Sequence, residues 1–283
     1  MSAHNNGLMA LTIHQVSSIA HSYLEPYRTL KRPLEHQKAG IFVAEGEKVV
    51  RRLLESRIRI ISILLTEEWF AAYRTLLESR GEEIDVYLAG KELMETIVGF
   101  PLHKGIMAVA RIPGRTTLQE AIAASAQPFF FIAVDGVMNS ENMGVIVRNC
   151  ASFGVSALLV GETSCDPYLR RAVRNSMGNV FSLPLVYLSC ITEELEEIRT
   201  RYHVTIVAAH PREKSSEIGS VDFSGNCCVV LGGEGHGISE QVLEASDIQA
   251  TIPMHAGVDS LNVASASAVI MYEVQRQREL RGR

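Results

Sequence analysis

The strongest constraint on the fold is a series of short, almost continuously apolar segments in the C-terminal half of the chain. They run over Phe129 to Val134, Ala157 to Val160, Val204 to Ala209 and Cys227 to Leu231. Strands that are apolar on both sides must be buried on both faces, which is typical of a parallel sheet between two helical layers. The sequence therefore predicts an α/β domain whose ligands bind beyond the carboxyl ends of the strands.

Helical periodicity fills the intervals between these strands, and the N-terminal part repeats the alternation on a smaller scale. The predicted helices cover Met143 to Phe153, Tyr168 to Arg174, Glu193 to Thr200 and Asn262 to Leu280. The N-terminal strands cover Ile41 to Ala44, Ile58 to Leu65, Ile84 to Leu88 and Gly105 to Arg111, with helices over Glu47 to Glu55 and Glu67 to Ser79. The Pro113-Gly114 pair predicts a linker over residues 112–128 with one short helix, which separates a domain at 1–111 from one at 129–283.

Composition and charge exclude several classes of protein. With 47% hydrophobic and 21% charged residues, the 283-residue chain is neither disordered nor fibrous. Its apolar runs are far below the roughly 20 residues that span a bilayer. A signal or transit peptide would require positive charge near the N-terminus, but no Lys or Arg precedes Arg28. The five cysteines form no CxxC pair and no metal-ligand spacing with histidine. We therefore expect reduced thiols, no metal, no membrane contact and a cytoplasmic location.

One local cluster of positive charge stands out in a chain whose formal net charge is -5. The segment from Arg28 to Arg59 holds nine basic residues and four acidic ones. A local basic excess of this kind is a candidate RNA footprint, and Arg51 and Arg52 lie at its centre. A solvated helix face explains the same residues equally well, because basic clusters on surface helices are common.

Three segments after predicted strands are unusual, and the first runs from Asp135 to Arg148. An asparagine and a glycine that open a helix suit a cap and a close backbone approach, respectively. Arg148 follows further along the same helix. A simple cap followed by a surface arginine is the alternative interpretation.

The second segment, Gly232 to Ser239, has four glycines within six residues, so its backbone can bend sharply against a ligand. Ile238 stands where a dinucleotide-binding GxGxxG loop needs glycine, and no Lys-Ser or Lys-Thr pair forms a P-loop. Glu234 is unusual for a simple turn, in which Asn or Asp is more frequent. His236 has no second ligand at metal spacing.

The third segment, Ile252 to Ala268, precedes and opens the long C-terminal helix. Ser260 or Asn262 could cap that helix. The small residues from Ala264 to Ala268 let another backbone pack closely, either as ordinary helix packing or as a chain threaded past the helix.

In this order, the three segments resemble the signature motifs of the SpoU/TrmH family of RNA 2′-O-ribose methyltransferases. The matching stretches are Asn142 to Arg148, Leu231 to Ile238, Ile252 to Met254 and Ser260 to Val263. Weaker similarity extends over Asp166 to Tyr168, Arg174 to Gly178, Phe42 to Lys48 and His103 to Ile106. The last two stretches are similar to the family's ribosomal-protein-like substrate-binding domain.

The resemblance implies a fold, a cofactor and an assembly. The fold is α/β: a knotted parallel-sheet methyltransferase domain at 129–283, preceded by the small ribosomal-protein-like α/β domain with an N-terminal helical extension. The resemblance also implies a homodimer with sites near the subunit interface. S-adenosylmethionine is expected in the knot, and the residues expected to contact it are Gly232, Gly233, Ile252, Met254 and Leu261.

The resemblance also implies roles for side chains in methyl transfer to a ribose 2′-hydroxyl, with ribosomal RNA favoured over transfer RNA. Arg148 is expected to engage the hydroxyl and the neighbouring phosphate. Because a guanidinium pKa exceeds about 12, orienting the nucleotide and stabilising the alkoxide suit it better than acting as a base. Asn142 and Asn262 would place Arg148 and the ribose, and Glu234 would order its loop or hold Arg148 by a charge-assisted bond. Ser260 is a further candidate.

The chain departs from the family pattern at one point, and two other functions stay open. The family commonly has Asp-Pro or Asn-Pro before the first-motif asparagine, whereas this chain has Asn139-Ser140-Glu141. The change loosens the start of the loop and adds a negative charge beside an RNA site, which affects substrate choice more than the reaction. The alternatives are a catalytically silent RNA-binding relative and a base-directed methyltransferase, the second disfavoured because Asn142, Arg148, Glu234 and Asn262 occur together.

Overall fold

The chain folds into two compact units, one of which is discontinuous in sequence. The computed structural model describes residues 11–98, 105–211, 215–255, 257–258 and 260–281. The first unit comprises the chain up to Pro113 together with Tyr168–Phe181, and the second comprises Gly114–Pro167 and Ser182–Arg283. The sequence placed Tyr168–Phe181 in the C-terminal domain, but its side chains pack in the first unit. His103 and Lys104 of the expected N-terminal similarity lie outside the described residues.

The first unit is built on a mixed sheet of five strands in the order β1-β4-β3-β5-β2. The strands are β1 (Thr12–Gln15), β2 (Ile41–Glu45), β3 (Ile60–Leu65), β4 (Asp85–Leu88) and β5 (Ile106–Arg111). The helices are α1 (Glu25–Arg28), α2 (Pro33–Lys38), α3 (Glu47–Glu55), α4 (Glu67–Ser79) and α5 (Lys91–Val98). Residues Tyr168–Phe181, which we call the returning segment, add α8 (Arg170–Asn175). β1 and β3 run parallel to β4, and β5 runs antiparallel to β2 and β3.

The expected N-terminal helical extension contains a strand as well as helices. Residues Thr12–Gln15 form the edge strand β1, which pairs with β4 in parallel register, and short helices follow it. The alternation Thr-Ile-His-Gln is too short to identify a strand by periodicity alone. The strand expected from Ile58 begins at Ile60, and its pairing with β5 is irregular between Ile60 and Ser62.

The second unit contains a seven-stranded sheet in which every pairing is parallel, in the order β10-β12-β9-β11-β6-β7-β8. The strands are β6 (Phe130–Asp135), β7 (Ala157–Val160), β8 (Leu185–Tyr187), β9 (Thr205–Ala209), β10 (Ser216–Glu217), β11 (Cys227–Gly232) and β12 (Ile248–Thr251). The helices are α6 (Leu118–Ala124), α7 (Ser140–Ser152), α9 (Ile191–Tyr202), α10 (Glu240–Glu244) and α11 (Val263–Arg281). The predicted α/β fold with a buried parallel sheet is confirmed. Within the described residues, no helix is long and apolar enough to cross a membrane.

The returning segment is held in the first unit by charged and aromatic contacts. The carboxylate of Glu45, which is 9% exposed, accepts hydrogen bonds from Arg170 and Arg174. Arg52 donates from Nη1 to the carbonyl oxygen of Met177 and to Oδ1 of Asn179, both at 2.8 Å. Arg52 therefore joins α3 to the returning segment by hydrogen bonds.

This contact gives different expectations for two neighbouring arginines of the basic cluster. Among the described residues, Arg51 makes one ion pair, with Glu55 one turn away, and such an exposed pair contributes little to stability. Arg52→Ala removes two hydrogen bonds from a charged donor, so we expect it to lower the free energy of unfolding by about 1 kcal/mol. Thermal melts followed by circular dichroism check this, with Arg51→Ala as the matched control. Equal melting temperatures for the two variants would contradict the role given to Arg52.

Candidate active site

The carboxyl ends of β6 and β11 meet at one edge of the parallel sheet, where their loops pack together. Gly233 donates its backbone N–H to the carbonyl oxygen of Asp135 at 2.9 Å. The carboxylate of Asp135, 5% exposed, accepts from the backbone N–H of Ser239 at 2.8 Å and from the hydroxyl of Thr163 at 3.3 Å. A Cβ atom at Gly233 would overlap the carbonyl oxygen of Gly136. Glycine is therefore required at Gly233 for the two loops to touch.

Helix α7 begins three residues before the predicted Met143, and its cap is Asn139. The Asn139 side chain accepts hydrogen bonds from the backbone N–H groups of Glu141 at 2.8 Å and Asn142 at 3.3 Å. Glu141 lies in the first turn, where a negative charge stabilises the helix. Since Asn139 supplies the cap, the side chain of Asn142 is available for other contacts.

Asn142, Glu234 and Asn262, one from each motif, form a hydrogen-bonded cluster. Oε1 of Glu234 accepts from Nδ2 of Asn262 at 2.9 Å and also from Nδ2 of Asn142. Nδ2 of Asn262 additionally lies 3.3 Å from Oδ1 of Asn142. The opposite end of the Asn262 amide, Oδ1, accepts the backbone N–H of Ala264 at 2.9 Å and so caps the start of α11. The structure therefore brings together three residues that lie up to 120 positions apart in sequence.

Arg148 does not join this cluster within one chain. It is exposed, and it follows Asn142 by six residues, which places it about 120° around α7. Among the described residues, its guanidinium makes no hydrogen bond or ion pair. Of the two contacts suggested for Glu234, the structure contains the one that orders its loop and lacks the one to Arg148. Ser260 is exposed on the wall of the neighbouring cavity.

A cavity of about 580 Å³ lies between the segment Gly232 to Ser239, which we call the glycine loop, the end of β12 and the start of α11. All five residues predicted to contact the cofactor line it: Gly232, Gly233, Ile252, Met254 and Leu261. The sequence analysis missed His210, Ile218 and Ile270, which also line the cavity. His210 directly follows β9, so its place at the carboxyl end of a parallel strand was the available signal.

A second cavity, of about 670 Å³, lies on the other side of Glu234. Its wall includes Asp135, Asn139, Asn142 and Thr163. The loop from Glu234 to Gly237 lines both cavities. The Asn142–Glu234–Asn262 cluster therefore stands where two neighbouring cavities share a wall, which is the arrangement that transfer of a group between two bound molecules requires.

The five cysteines are free thiols, of which Cys150, Cys227 and Cys228 are buried. Burial raises the pKa of Cys165 and of Cys227 to about 11, and it raises the pKa of Cys150 and Cys228 further. Since the thiolate is the reactive form, these four thiols are poor nucleophiles near neutral pH. Among the described residues, no group of three metal-ligating side chains converges.

Comparison with known proteins tests the resemblance directly. Residues 130–272 match the family described as the SpoU rRNA Methylase family, which is half of the chain. The chain belongs to the SpoU rRNA methylase family. Membership confirms the predicted family, the predicted enzyme class and the predicted cofactor: the chain is an RNA methyltransferase that uses S-adenosylmethionine.

Full-length relatives and solved structures agree with the family match. A Mycobacterium tuberculosis protein named an uncharacterized tRNA/rRNA methyltransferase is 32% identical to this SpoU methylase over 260 residues, covering 89% of this chain and 88% of its own. The 23S rRNA (guanosine-2'-O-)-methyltransferase RlmB of Acinetobacter baylyi is 27% identical over 198 residues, or 69% of this chain and 79% of its own. The crystal structure of AviRb from Streptomyces viridochromogenes, a SpoU methyltransferase in complex with AdoMet, superposes with a TM-score of 0.79 at 23% identity, covering 92% of this chain and all of that one.

Proposed function

We propose that this SpoU methylase transfers a methyl group to a ribose 2′-hydroxyl of ribosomal RNA in the cytoplasm. The observation that carries the proposal is the Asn142–Glu234–Asn262 cluster at the wall shared by two cavities. The names of relatives support the substrate, since RlmB of Acinetobacter baylyi and RlmP of Bacillus subtilis are both named 23S rRNA guanosine 2′-O-methyltransferases.

The smaller cavity fits S-adenosylmethionine. Its wall combines the glycine loop at Gly232 and Gly233 with apolar side chains at Ile252, Met254 and Leu261. A Cβ atom at Gly232 would overlap the backbone of Gly237, so the loop is shaped by the absence of side chains there. When bound, the cofactor supplies a methyl group on a positively charged sulfonium.

The larger cavity then receives the ribose, and the residues of the cluster hold it in place. A ribose hydroxyl is a poor nucleophile at neutral pH, so orientation is the main contribution that the protein can make. Correct alignment of two reactants supplies roughly 7 to 11 kcal/mol. Glu234 locks the amides of Asn142 and Asn262 into one geometry, and these amides position the sugar. Arg148 binds the adjacent phosphate and stabilises the developing alkoxide.

Arg148 is proposed to act in a homodimer whose sites lie near the subunit interface. It lies on a different side of α7 from Asn142, so a phosphate that it binds must approach from outside the two cavities of one chain. Helix α11 presents exposed apolar side chains at Val269, Tyr272 and Leu280, as an interface between two copies would. A trefoil knot at the cofactor cavity is proposed from the family resemblance.

The test is methyl transfer from labelled S-adenosylmethionine to unmodified ribosomal RNA and, separately, to transfer RNA, followed by analysis of the labelled nucleosides. We expect a 2′-O-methylated nucleoside from ribosomal RNA. The same product from transfer RNA alone would move the substrate to that class. Label on a base would show a base-directed enzyme. RNA binding without cofactor binding or turnover would show a silent relative.

The basic cluster of the first unit is proposed to contact RNA phosphates through side chains that make no ion pair with the described residues. Lys48, Arg57 and Arg59 are exposed and make no ion pair among the described residues, whereas Arg51 pairs with Glu55. The double substitution Arg57→Gln and Arg59→Gln is expected to weaken RNA binding and to reduce the salt slope by about 1.4 to 1.8, because each lost phosphate contact contributes roughly 0.7 to 0.9. Filter binding at several salt concentrations measures both quantities. Arg51→Gln is the control, and a slope unchanged in the double variant would identify the cluster as a solvated face.

A further inference from the structure

Three aromatic rings of the first unit form a column that rises from the core to the surface. The ring of Tyr87 stacks on that of Tyr23 with centroids 4.6 Å apart and planes 13° apart. The ring of Tyr23 stacks on that of His21 at 4.8 Å and 8°. The three rings are therefore nearly parallel and evenly spaced, like consecutive bases of a nucleic acid strand.

The exposure of the rings increases along the column. Tyr87 is 5% exposed and rests edge-on against the buried ring of Tyr27. Tyr23 is half-buried and packs against the core cluster of this unit. His21, at the outer end, is exposed. The column is anchored at its inner end and ends in solvent at its outer end.

The side of the column is also held in place. His14 on the edge strand β1 lies against both Tyr23 and Tyr87, with centroids 5.8 and 5.2 Å away. Its Nε2 atom is 2.8 Å from Oδ1 of Asp85. A ring that stacks on His21 would therefore meet an ordered surface.

A guanidinium is fixed beside the outer end of the column. Arg28 donates from Nη1 to the carbonyl oxygen of Ile19 at 2.8 Å and from Nη2 to that of His21 at 3.4 Å. Arg28 is exposed, and it makes no ion pair with a carboxylate among the described residues. The exposed Lys31 and Arg32 follow it, with Arg32 paired to Glu35. A ring surface and an uncompensated positive charge thus occur side by side.

We propose that this column is a second RNA-binding site, at which one unpaired nucleobase stacks on His21 and its phosphate contacts Arg28. Every base has a π-face, so stacking on such a platform binds single-stranded RNA with little regard to sequence. A base within a duplex has both faces covered and cannot extend the column. The site would hold an unpaired nucleotide of the RNA whose ribose is methylated elsewhere, and in that respect it rests on the proposed function.

The test uses the whole protein and a single-stranded RNA of ten uridylates with 2-aminopurine at its centre, because uridylates stack weakly and leave the free probe fluorescent. Stacking on an aromatic ring quenches the fluorescence of 2-aminopurine, so one titration gives both affinity and stacking. His21→Ala is expected to weaken binding roughly tenfold and to remove most of the quenching. His21→Phe keeps a flat ring and is expected to restore both, which separates stacking from charge and from local misfolding. Arg28→Gln is expected to reduce the salt slope by about 0.7.

The matched control is His203→Asn, which changes another exposed histidine of the described chain. His203 has a φ of 51°, a backbone conformation that asparagine tolerates. The His203→Asn variant should therefore bind the probe as the wild type does. Unchanged binding of the probe by His21→Ala would overturn the proposal. So would equal quenching of the duplex probe and the single-stranded probe by the wild-type protein. Failure of the wild type to bind the single strand would also overturn it, and methyl transfer to ribosomal RNA by that same wild type would leave the proposed function standing.

Discussion

Gly233→Ala is expected to reduce the affinity for S-adenosylmethionine more than 100-fold. The added methyl group would overlap the backbone carbonyl oxygen of Gly136, which cannot rotate away as a flexible side chain can. The loops after β6 and β11 would have to separate, breaking the 2.9 Å hydrogen bond from Gly233 to Asp135. Since the glycine loop lines both cavities, the cofactor wall and the Glu234 carboxylate would move together. Isothermal titration calorimetry with the cofactor measures the loss.

Gly225→Ala is the matched control, just before β11 instead of just after it. A Cβ atom at Gly225 has no atom within 4 Å and Gly225 lines neither cavity, so this variant should keep wild-type affinity and turnover. A melt of each variant shows whether the loss at Gly233 is local, because a separation confined to the two loops would leave the melting temperature close to that of the wild type. Cofactor binding by Gly233→Ala within a few-fold of the wild type would show that the two loops separate without cost to the site.

The central strands could be predicted from sequence because each is apolar along its whole length. Ala157–Val160 was located without error, and β6 and β11 within one residue at each end. The strands that were missed carry little signal: β8 has three residues, β10 has two, and β12 reads Ile-Gln-Ala-Thr with only one buried position. They lie at or next to the sheet edges, where pairing to a neighbour rather than hydrophobic periodicity defines a strand.

The residues that belong to the site were easier to predict than the contacts that they make with one another. The residues predicted for the cofactor all reach one cavity because the two motifs that supply them follow strands of one parallel sheet. The partner of Glu234 could not be predicted, since a carboxylate can accept from an amide or a guanidinium and only the rotation of α7 decides which is near. Arg52 shows the same limit: its charge suggested RNA, but its partners at Met177 and Asn179 lie more than 120 residues away in sequence.

Arg148→Ala is expected to lower the rate of methyl transfer by about 10²–10³-fold while cofactor affinity stays within a few-fold of the wild type. The loss is of the size seen when one group that stabilises a developing negative charge is removed. Cofactor binding should persist because Arg148 does not line the cofactor cavity. Single-turnover transfer of labelled methyl groups to ribosomal RNA measures the rate.

Two further variants show what Arg148 contributes. Arg148→Lys keeps the charge but loses the planar fork that binds a phosphate through two hydrogen bonds, so it should recover only part of the rate. Arg201→Ala removes an exposed helical arginine of the same unit that pairs with Glu197, and it should leave the rate unchanged. Because the guanidinium of Arg148 makes no hydrogen bond or ion pair with the described residues, its removal should not alter the melting temperature. A normal rate in Arg148→Ala would show that the Asn142–Glu234–Asn262 cluster orients the ribose without it, and the role given to Arg148 would be wrong.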